Sequence, residues 1–233
     1  NTHPWKGYPM AKSPKNVTIY GRLSFPTFDY QQAVKKNATS DFPKADVADV
    51  TPDFNLLLEQ AQLDKLKKHV LDEFLPYCQA QHAKGDKRDA LDAGQVAKLV
   101  KLIEAEDWES QPPYICIKPV NAKTAELAPE ALASVKILGN KGTDIQQQAL
   151  VQDESELAVP DPDRVDYPAI MLIGQTVHSL YGGCYAAATL NLYAFVSGKQ
   201  PGFSAAASVC VFKADGDRFG GGVSVDADEM FLD

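Results

Sequence analysis

At 233 residues the chain has room for one large or two small domains, and its 45% hydrophobic and 9% aromatic content is enough for a packed core, which excludes global disorder. No apolar run approaches the roughly 20 residues of a membrane helix, and the N-terminus lacks the apolar centre of a signal peptide. The formal net charge of −8 argues against a polyanion partner, but it is unevenly spread: residues 1–44 carry seven Lys or Arg against Asp29 and Asp41, while the last eight residues carry four carboxylates. A basic edge on an acidic chain is compatible with phosphate binding and equally with a solvated surface.

Residues 1–9 precede Met10-Ala11-Lys12-Ser13, which reads as a native start, so residues 1–15 are read as an N-terminal arm or leader. Val17 to Phe25 alternates as a half-buried strand closed by Pro26, with Val17, Ile19, Leu23 and Phe25 expected inward and Thr18, Tyr20, Arg22 and Ser24 outward. Phe54 to Leu58 reads as a second strand. A helix from about Gln60 lines up Leu63, Leu66, Val70, Phe74 and Cys78, with Lys65, Lys67 and Lys68 elsewhere on its surface and Pro76 expected to end or kink it. A second helical pattern, with Val96, Leu99, Val100 and Ile103, completes a helical insertion over about 60–107.

Past Pro112-Pro113, Tyr114 to Lys118 reads as a strand with Ile115 and Ile117 inward, Leu132 to Leu138 is apolar but less regular, and Gly139 to Gly142 is a turn. Gln146 to Pro168, polar and interrupted by prolines, reads as a long loop or arm. The strongest β signal runs from Cys184 to Val196, then a turn from Ser197 to Gly202, then Ser204 to Lys213. In its first part Ala186, Ala188, Leu190, Leu192, Ala194 and Val196 share one face; Tyr185, Thr189, Asn191, Tyr193 and Phe195 share the other. Short strands, inserted helices and a closing hairpin, with no βαβ alternation, favour a mainly β fold: an OB-fold-type antiparallel barrel over 16–219, with a β-sandwich as the alternative.

Binding single strands requires aromatic faces for bases and positive charge for phosphates. The outward positions supply both, so the candidate DNA-binding residues are Lys12, Lys15, Tyr20, Arg22, Lys118, Tyr185, Tyr193 and Lys213. An aromatic on a strand is more often packed than holding a base, and Phe25 and Phe195 are read as core. The four cysteines lack any CxxC or Cys-His spacing and read as reduced, mostly buried thiols of a cytoplasmic protein; neither metal nor cofactor is expected. Gly216 to Gly222 lacks the GK[ST] of a phosphate loop and reads as a hinge. It releases residues 220–233, an acidic tail in which Asp226, Asp228, Glu229 and Asp233 surround Met230-Phe231-Leu232. Such a tip can compete with a polyanion for a basic groove or dock Phe231 on a partner.

From Tyr181 to Gly222 the chain resembles the C-terminal region of single-stranded-DNA-binding proteins of tailed bacteriophages. Tyr181, Gly183, Cys184-Tyr185, the alternating strand, Gly202, Lys213, Asp215-Gly216 and the glycine run before an acidic end carry that resemblance. Gly21-Arg22-Leu23-Ser24-Phe25-Pro26 resembles the first strand of the same family. The resemblance implies a non-catalytic OB-fold protein that coats single-stranded DNA in phage replication, recombination and repair, in the cytoplasm of the infected host. It also implies a tail that tempers DNA binding and recruits phage or host replication proteins. A homodimer and weaker binding of duplex DNA stay open. So do two other classes: a virion or scaffolding protein, and a Mg²⁺-dependent nuclease using Asp161 and Asp163, whose D-P-D-R-V-D setting lacks the glycine and glutamate of a calcium loop.

Overall fold

The computed structural model describes residues 13–37, 50–106, 108, 114–149 and 180–219. Strand β1 (Asn16–Thr27) is shared between two halves of the sheet. Its first part pairs with β6 (Tyr185–Ser197), from Asn16↔Asn191 to Arg22↔Tyr185; its second pairs with β2 (Asp53–Leu58), starting at Arg22↔Leu57. Gly21 sits at the changeover. A Cβ there would lie 2.4 Å from the Leu57 carbonyl oxygen, so the two backbones can approach only at a glycine.

From β2 the pairing continues antiparallel to β4 (Ala133–Leu138), parallel to β7 (Gln200–Ala206) and antiparallel to β6, which returns to β1. The hydrogen-bonded path β1-β2-β4-β7-β6 therefore closes on itself. Strand β3 (Ile117–Pro119) adds to β4, and β8 (Val209–Ala214) carries β5 (Gln146–Ala149) outward from β6. The fold is mainly β with inserted helices. The expectation of a purely antiparallel sheet is corrected at β4–β7 and β5–β8, which are parallel.

Three further sequence expectations are revised. Ser204 to Lys213 is not one strand: it breaks at Ala207-Ser208, where the Ala207 amide donates to Leu138 O and Ser208 O accepts from Gln146 N, so β7 turns toward β4 and β8 toward β5. The turn before it shrinks to Gly198-Lys199, a two-residue hairpin loop with Gly198 at φ +62. Gln146–Ala149, expected in a loop, is β5, while 150–168 lies outside the described residues.

The insertion comprises α2 (Gln60–His69), a π-helical turn (Val70–Phe74), α3 (Leu75–Ala83) and α4 (Ala93–Glu104). Pro76 neither ends nor breaks it. The Leu75 amide reaches back five residues to Val70 O, and this widened turn accommodates the proline ring and its missing donor. Asp92 and Gln95 cap α4 reciprocally. Helix α1 (Tyr30–Asn37) follows β1, and α5 (Ala122–Leu127) lies between β3 and β4. The core joins Ile19, Leu23, Leu56, Val135, Leu190 and Phe203 of the sheet to Leu66, Phe74 and Leu99 of the insertion, with Phe74 edge-on to Phe203 at 6.2 Å. A smaller cluster of Leu57, Ala128, Ala131 and Phe219 sits on the other face of β2. Among the described residues no helix is long and apolar enough to cross a membrane.

Candidate nucleic-acid interface

On the shared outer face of β1 and β6 the alternation of burial holds from Ala188 to Leu192, while Ala187 opposite Tyr20 is buried. Ala186, Ala188, Leu190 and Leu192 are buried, while Thr189 and Asn191 are exposed. Thr18 and Thr189 share a 2.8 Å hydrogen bond across the pair. Two residues along β1, Tyr20 is 41% exposed, an unusual degree for an aromatic on a strand. Lys65 Nζ of α2 and Lys213 Nζ of β8 lie 5.5 and 5.7 Å from its ring centroid. Lys213 reaches it from a bulge: Phe212 pairs with Ala186 and Ala214 with Tyr185, leaving Lys213 as the extra residue whose side chain the bulge re-aims. A part-exposed aromatic ring with two ammonium groups over it combines a group able to stack on a base with charge for phosphates.

Toward the far end of β6, Tyr193 and Phe195 form a second aromatic group with Tyr114, at centroid separations of 6.3 and 6.5 Å. All three are half-buried. Phe195, read as core, instead lies over the Gly202 backbone at the hairpin. From Ala187, the partner of Tyr20, to Tyr193 is six residues, about 20 Å of one strand face.

Arg22 faces outward, as its position in the alternation predicts, but it is covered. Only 7% of it is exposed. Its Nε donates to Gly183 O (3.1 Å), Nη1 to Leu127 O and Glu130 Oε1 (both 3.2 Å), and Nη2 to Asp217 O (2.9 Å). Its guanidinium stacks over Tyr185 at 5.6 Å and Phe219 at 4.5 Å. What covers it is α5 together with 215–219, a strap docked on residues 181–183. Phe219 N donates to Gly182 O, Tyr181 Oη accepts from Gly216 N, and Arg218 lies 4.3 Å over the Tyr181 ring. Gly183, at φ +112, makes the docking possible, because a Cβ there would fall 1.9 Å from Asp217 O. Tyr185 is half-buried beneath this strap.

Lys15 is also engaged by protein. Its Nζ lies 2.6 Å from Asp89 Oδ2, and Asp89 Oδ1 accepts from Ala194 N, so the pair caps the edge of β6 beyond its pairing with β1. Lys118 is exposed on β3 opposite Ser134, roughly 14 Å around the sheet from β1 at three strand spacings. Phe25, read as core, is 54% exposed, because a φ of 41° turns its side chain to the solvent side of β1. Lys12, Asp161, Asp163 and the tail residues Asp226, Asp228, Glu229, Phe231 and Asp233 lie outside the described residues.

The structure thus brings together Tyr20 and Lys213 and adds Lys65, which sequence reasoning placed only on a helix surface. No local signal marks Lys65, since its place over Tyr20 depends on how α2 crosses β1. All four cysteines are free and buried, as expected. Among the described residues no three His, Cys, Asp or Glu side chains gather as metal ligands.

No protein-family model and no curated protein matches this sequence. Solved structures similar to it are single-stranded-DNA-binding proteins of bacteriophages. The protein from bacteriophage Enc34 aligns over 94% of this chain and 90% of its own, at 14% identity and a TM-score of 0.49. Its complex with single-stranded DNA aligns over 88% and 90%, at 13% and 0.49. The gp2.5 protein of bacteriophage T7 aligns over 91% and 96%, at 9% and 0.38. The overlap is loose, and the function proposed for this chain rests on its own residues.

Proposed function

We propose that this chain is a non-catalytic, sequence-tolerant single-stranded-DNA-binding protein. The observation that carries this reading is the part-exposed ring of Tyr20 with Lys65 and Lys213 over it. Every base has a π face and every nucleotide a phosphate, so such a site is indifferent to sequence. Thr18, Thr189 and Asn191 extend the same face toward Tyr193, which gives the strand a path along β1 and β6. Strand order β1-β2-β4-β7-β6 with closure on β1 supports reading the sheet of 16–219 as an OB-type barrel, with its helices inserted after the second strand. Arg22 and Lys15 drop out of the contact set because the protein itself occupies them. Lys118, Tyr185 and Lys12 stand as secondary contacts.

In this reading the chain acts in phage DNA replication, recombination and repair in the host cytoplasm. The acidic residues of 220–233 compete with DNA for the lysines around Tyr20 and recruit replication proteins. The strap supports the competition: Phe219 rests on Arg22, two residues along β1 from Tyr20, so the tail starts beside the site it would cover. Fluorescence anisotropy of a labelled oligo-dT tests the reading, with the full chain and a chain ending at Gly222 at two salt concentrations. Binding should fall with salt and strengthen on truncation. Absence of binding by both would refute it.

A further inference from the structure

Phe25 is held in a conformation that its surroundings in the chain disfavour twice over. A bulky side chain rarely adopts positive φ, and the residue before a proline is pushed toward extended backbone, yet Phe25 stands at φ 41 immediately before Pro26. No burial offsets that strain, because the ring is 54% exposed. The local cause is a bulge: Ser24 pairs with Asn55 and Thr27 with Asp53, so Phe25-Pro26 on β1 faces one residue on β2 and stands out from the sheet. Backbone strain of this kind concentrates where a chain meets another molecule. The fold also carries a matching hollow. A cleft of about 450 Å³ opens between the start of α2, the end of α4 and the β3–β4 edge, walled by Leu63, Trp108, Pro119 and Leu132. It has room for a benzyl group with the proline ring beside it, and Leu132 is 47% exposed.

We propose that this cleft receives Phe25 of a second copy of the chain. A chain cannot fill its own cleft with its own Phe25, because the two lie at opposite ends of β2. Phe25 stands at the Asp53 end, and Leu58, five residues on and roughly 17 Å away, pairs with the cleft residue Ala133. The charges around knob and cleft are complementary. Next to Phe25 two ammonium groups, Lys36 and Lys136, share the single carboxylate of Asp53. Around the cleft three carboxylates, Glu59, Asp64 and Glu106, stand against Lys67 and Lys118, and the Lys67–Glu106 pair turns its carboxylate outward, 59% exposed against 13%. Knob and cleft are different surfaces, so the contact is heterologous. A copy that donates Phe25 still offers its own cleft, and association does not stop at a two-fold pair. Tyr20, Lys65 and Lys213 belong to neither surface, which leaves them open to DNA. A contact through one side chain is weak between free chains, whereas copies held side by side on one strand meet at about millimolar effective concentration. That consequence rests on the DNA reading; the contact itself does not.

The test is sedimentation equilibrium of the full chain without DNA, over a concentration series reaching about 1 mM. Phe25→Gly removes the ring and suits positive φ, so the fold is kept. Leu132→Asp sets a carboxylate in the cleft wall at an exposed position. Urea unfolding checks that both variants are folded, and Leu132→Asn replaces Leu132→Asp if the latter is not. The parent's mass should rise past that of a dimer with concentration. Each variant alone should associate at least about ten-fold more weakly, the loss expected for one buried aromatic. An equimolar mixture of the two should recover association but stop at a dimer, since the Leu132→Asp chain supplies Phe25 and the Phe25→Gly chain supplies the cleft. A parent that stays monomeric, a Phe25→Gly chain that associates like the parent, or a mixture that stays monomeric would overturn the proposal. Weaker oligo-dT binding by Phe25→Gly with self-association unchanged would also overturn it and assign Phe25 to DNA. Because the sedimentation contains no DNA, failure there leaves the anisotropy result untouched, and the reverse holds as well.

Discussion

The guanidinium carbon of Arg22 lies 4.5 Å from the centroid of the Phe219 ring, a stack that ties the first strand of the sheet to the last described residue. Four hydrogen bonds from the same side chain, three of them to backbone carbonyls, join three segments around that stack: Gly183, the end of α5 with Glu130, and the strap through Asp217. A planar fork can serve carbonyls on several segments at once; a lysine ammonium cannot reproduce that geometry.

Arg22→Lys is therefore expected to destabilise the protein by about 2–3 kcal/mol, the scale of charged hydrogen bonds lost from a buried site. Urea unfolding measures it. Among molecules that remain folded, the salt dependence of oligo-dT binding should be unchanged, since Arg22 holds protein rather than phosphate. A shallower salt slope would return Arg22 to the DNA contacts.

At the proposed interface, stacking and charge separate by substitution. Tyr20→Ala should weaken oligo-dT binding by about 1–3 kcal/mol, the value of one stacked base, while Tyr20→Phe should retain most of the affinity. Lys65→Gln and Lys213→Gln should each flatten the salt slope by about 0.7, as expected for one phosphate contact on a single strand. Anisotropy across a salt series reads all four variants, and an unchanged affinity for Tyr20→Ala would remove that ring from the interface.

Much of this arrangement was legible before the fold was known. Period-two alternation put Val17, Ile19 and Leu23 inside and Tyr20 and Arg22 outside β1, and it separated buried Ala188, Leu190 and Leu192 from exposed Thr189 and Asn191 on β6, but it also put Ser24 outward, where it is buried. Alternation reports only which side of a strand a residue leaves from. It does not report whether another layer covers that side, which is why Arg22 and Tyr20 read alike and differ six-fold in exposure, 7% against 41%. The covering layer is α5 and 215–219, brought there by contacts distant in sequence. Phe25 departs because a single residue at positive φ resets the alternation, and phenylalanine gives no warning of it. The break at Ala207-Ser208 was hidden for a related reason: β7 and β8 follow one another along the same edge of β6, and only their other partners differ.

The four thiols should be inert in the folded protein. Burial pushes Cys78 and Cys116 up to about 12, and burial likewise raises Cys184 and Cys210. At pH 8 a thiol of pKa 12 is thiolate in roughly one molecule in 10⁴, and the thiolate is the nucleophile. Titration with Ellman's reagent is expected to find no fast-reacting thiol in the native state and four in urea. A fast native thiol would mean that one of these sites opens readily.

Acid should act through Asp53 of β2, the carboxylate that ties Lys36 of α1 and Lys136 of β4 to that strand. Burial alone would push its pKa up. Hydrogen bonds and charge from Lys136 at 2.9 Å and Lys36 at 3.0 Å outweigh that and hold it below the usual carboxylate value. A depressed folded pKa binds protons more weakly than the unfolded chain does. The carboxylate's contribution is therefore fully present above the unfolded value of about 3.9 and is lost as pH falls through the folded one. Both lysines are about half exposed, so solvent screening keeps the contribution small. Asp53→Asn should lower the urea midpoint at pH 7, and the gap between variant and parent should close as pH drops below about 4. A gap that persists undiminished at pH 3 would show that Asp53 stabilises the sheet by packing or by hydrogen bonds the amide cannot make, rather than by its charge.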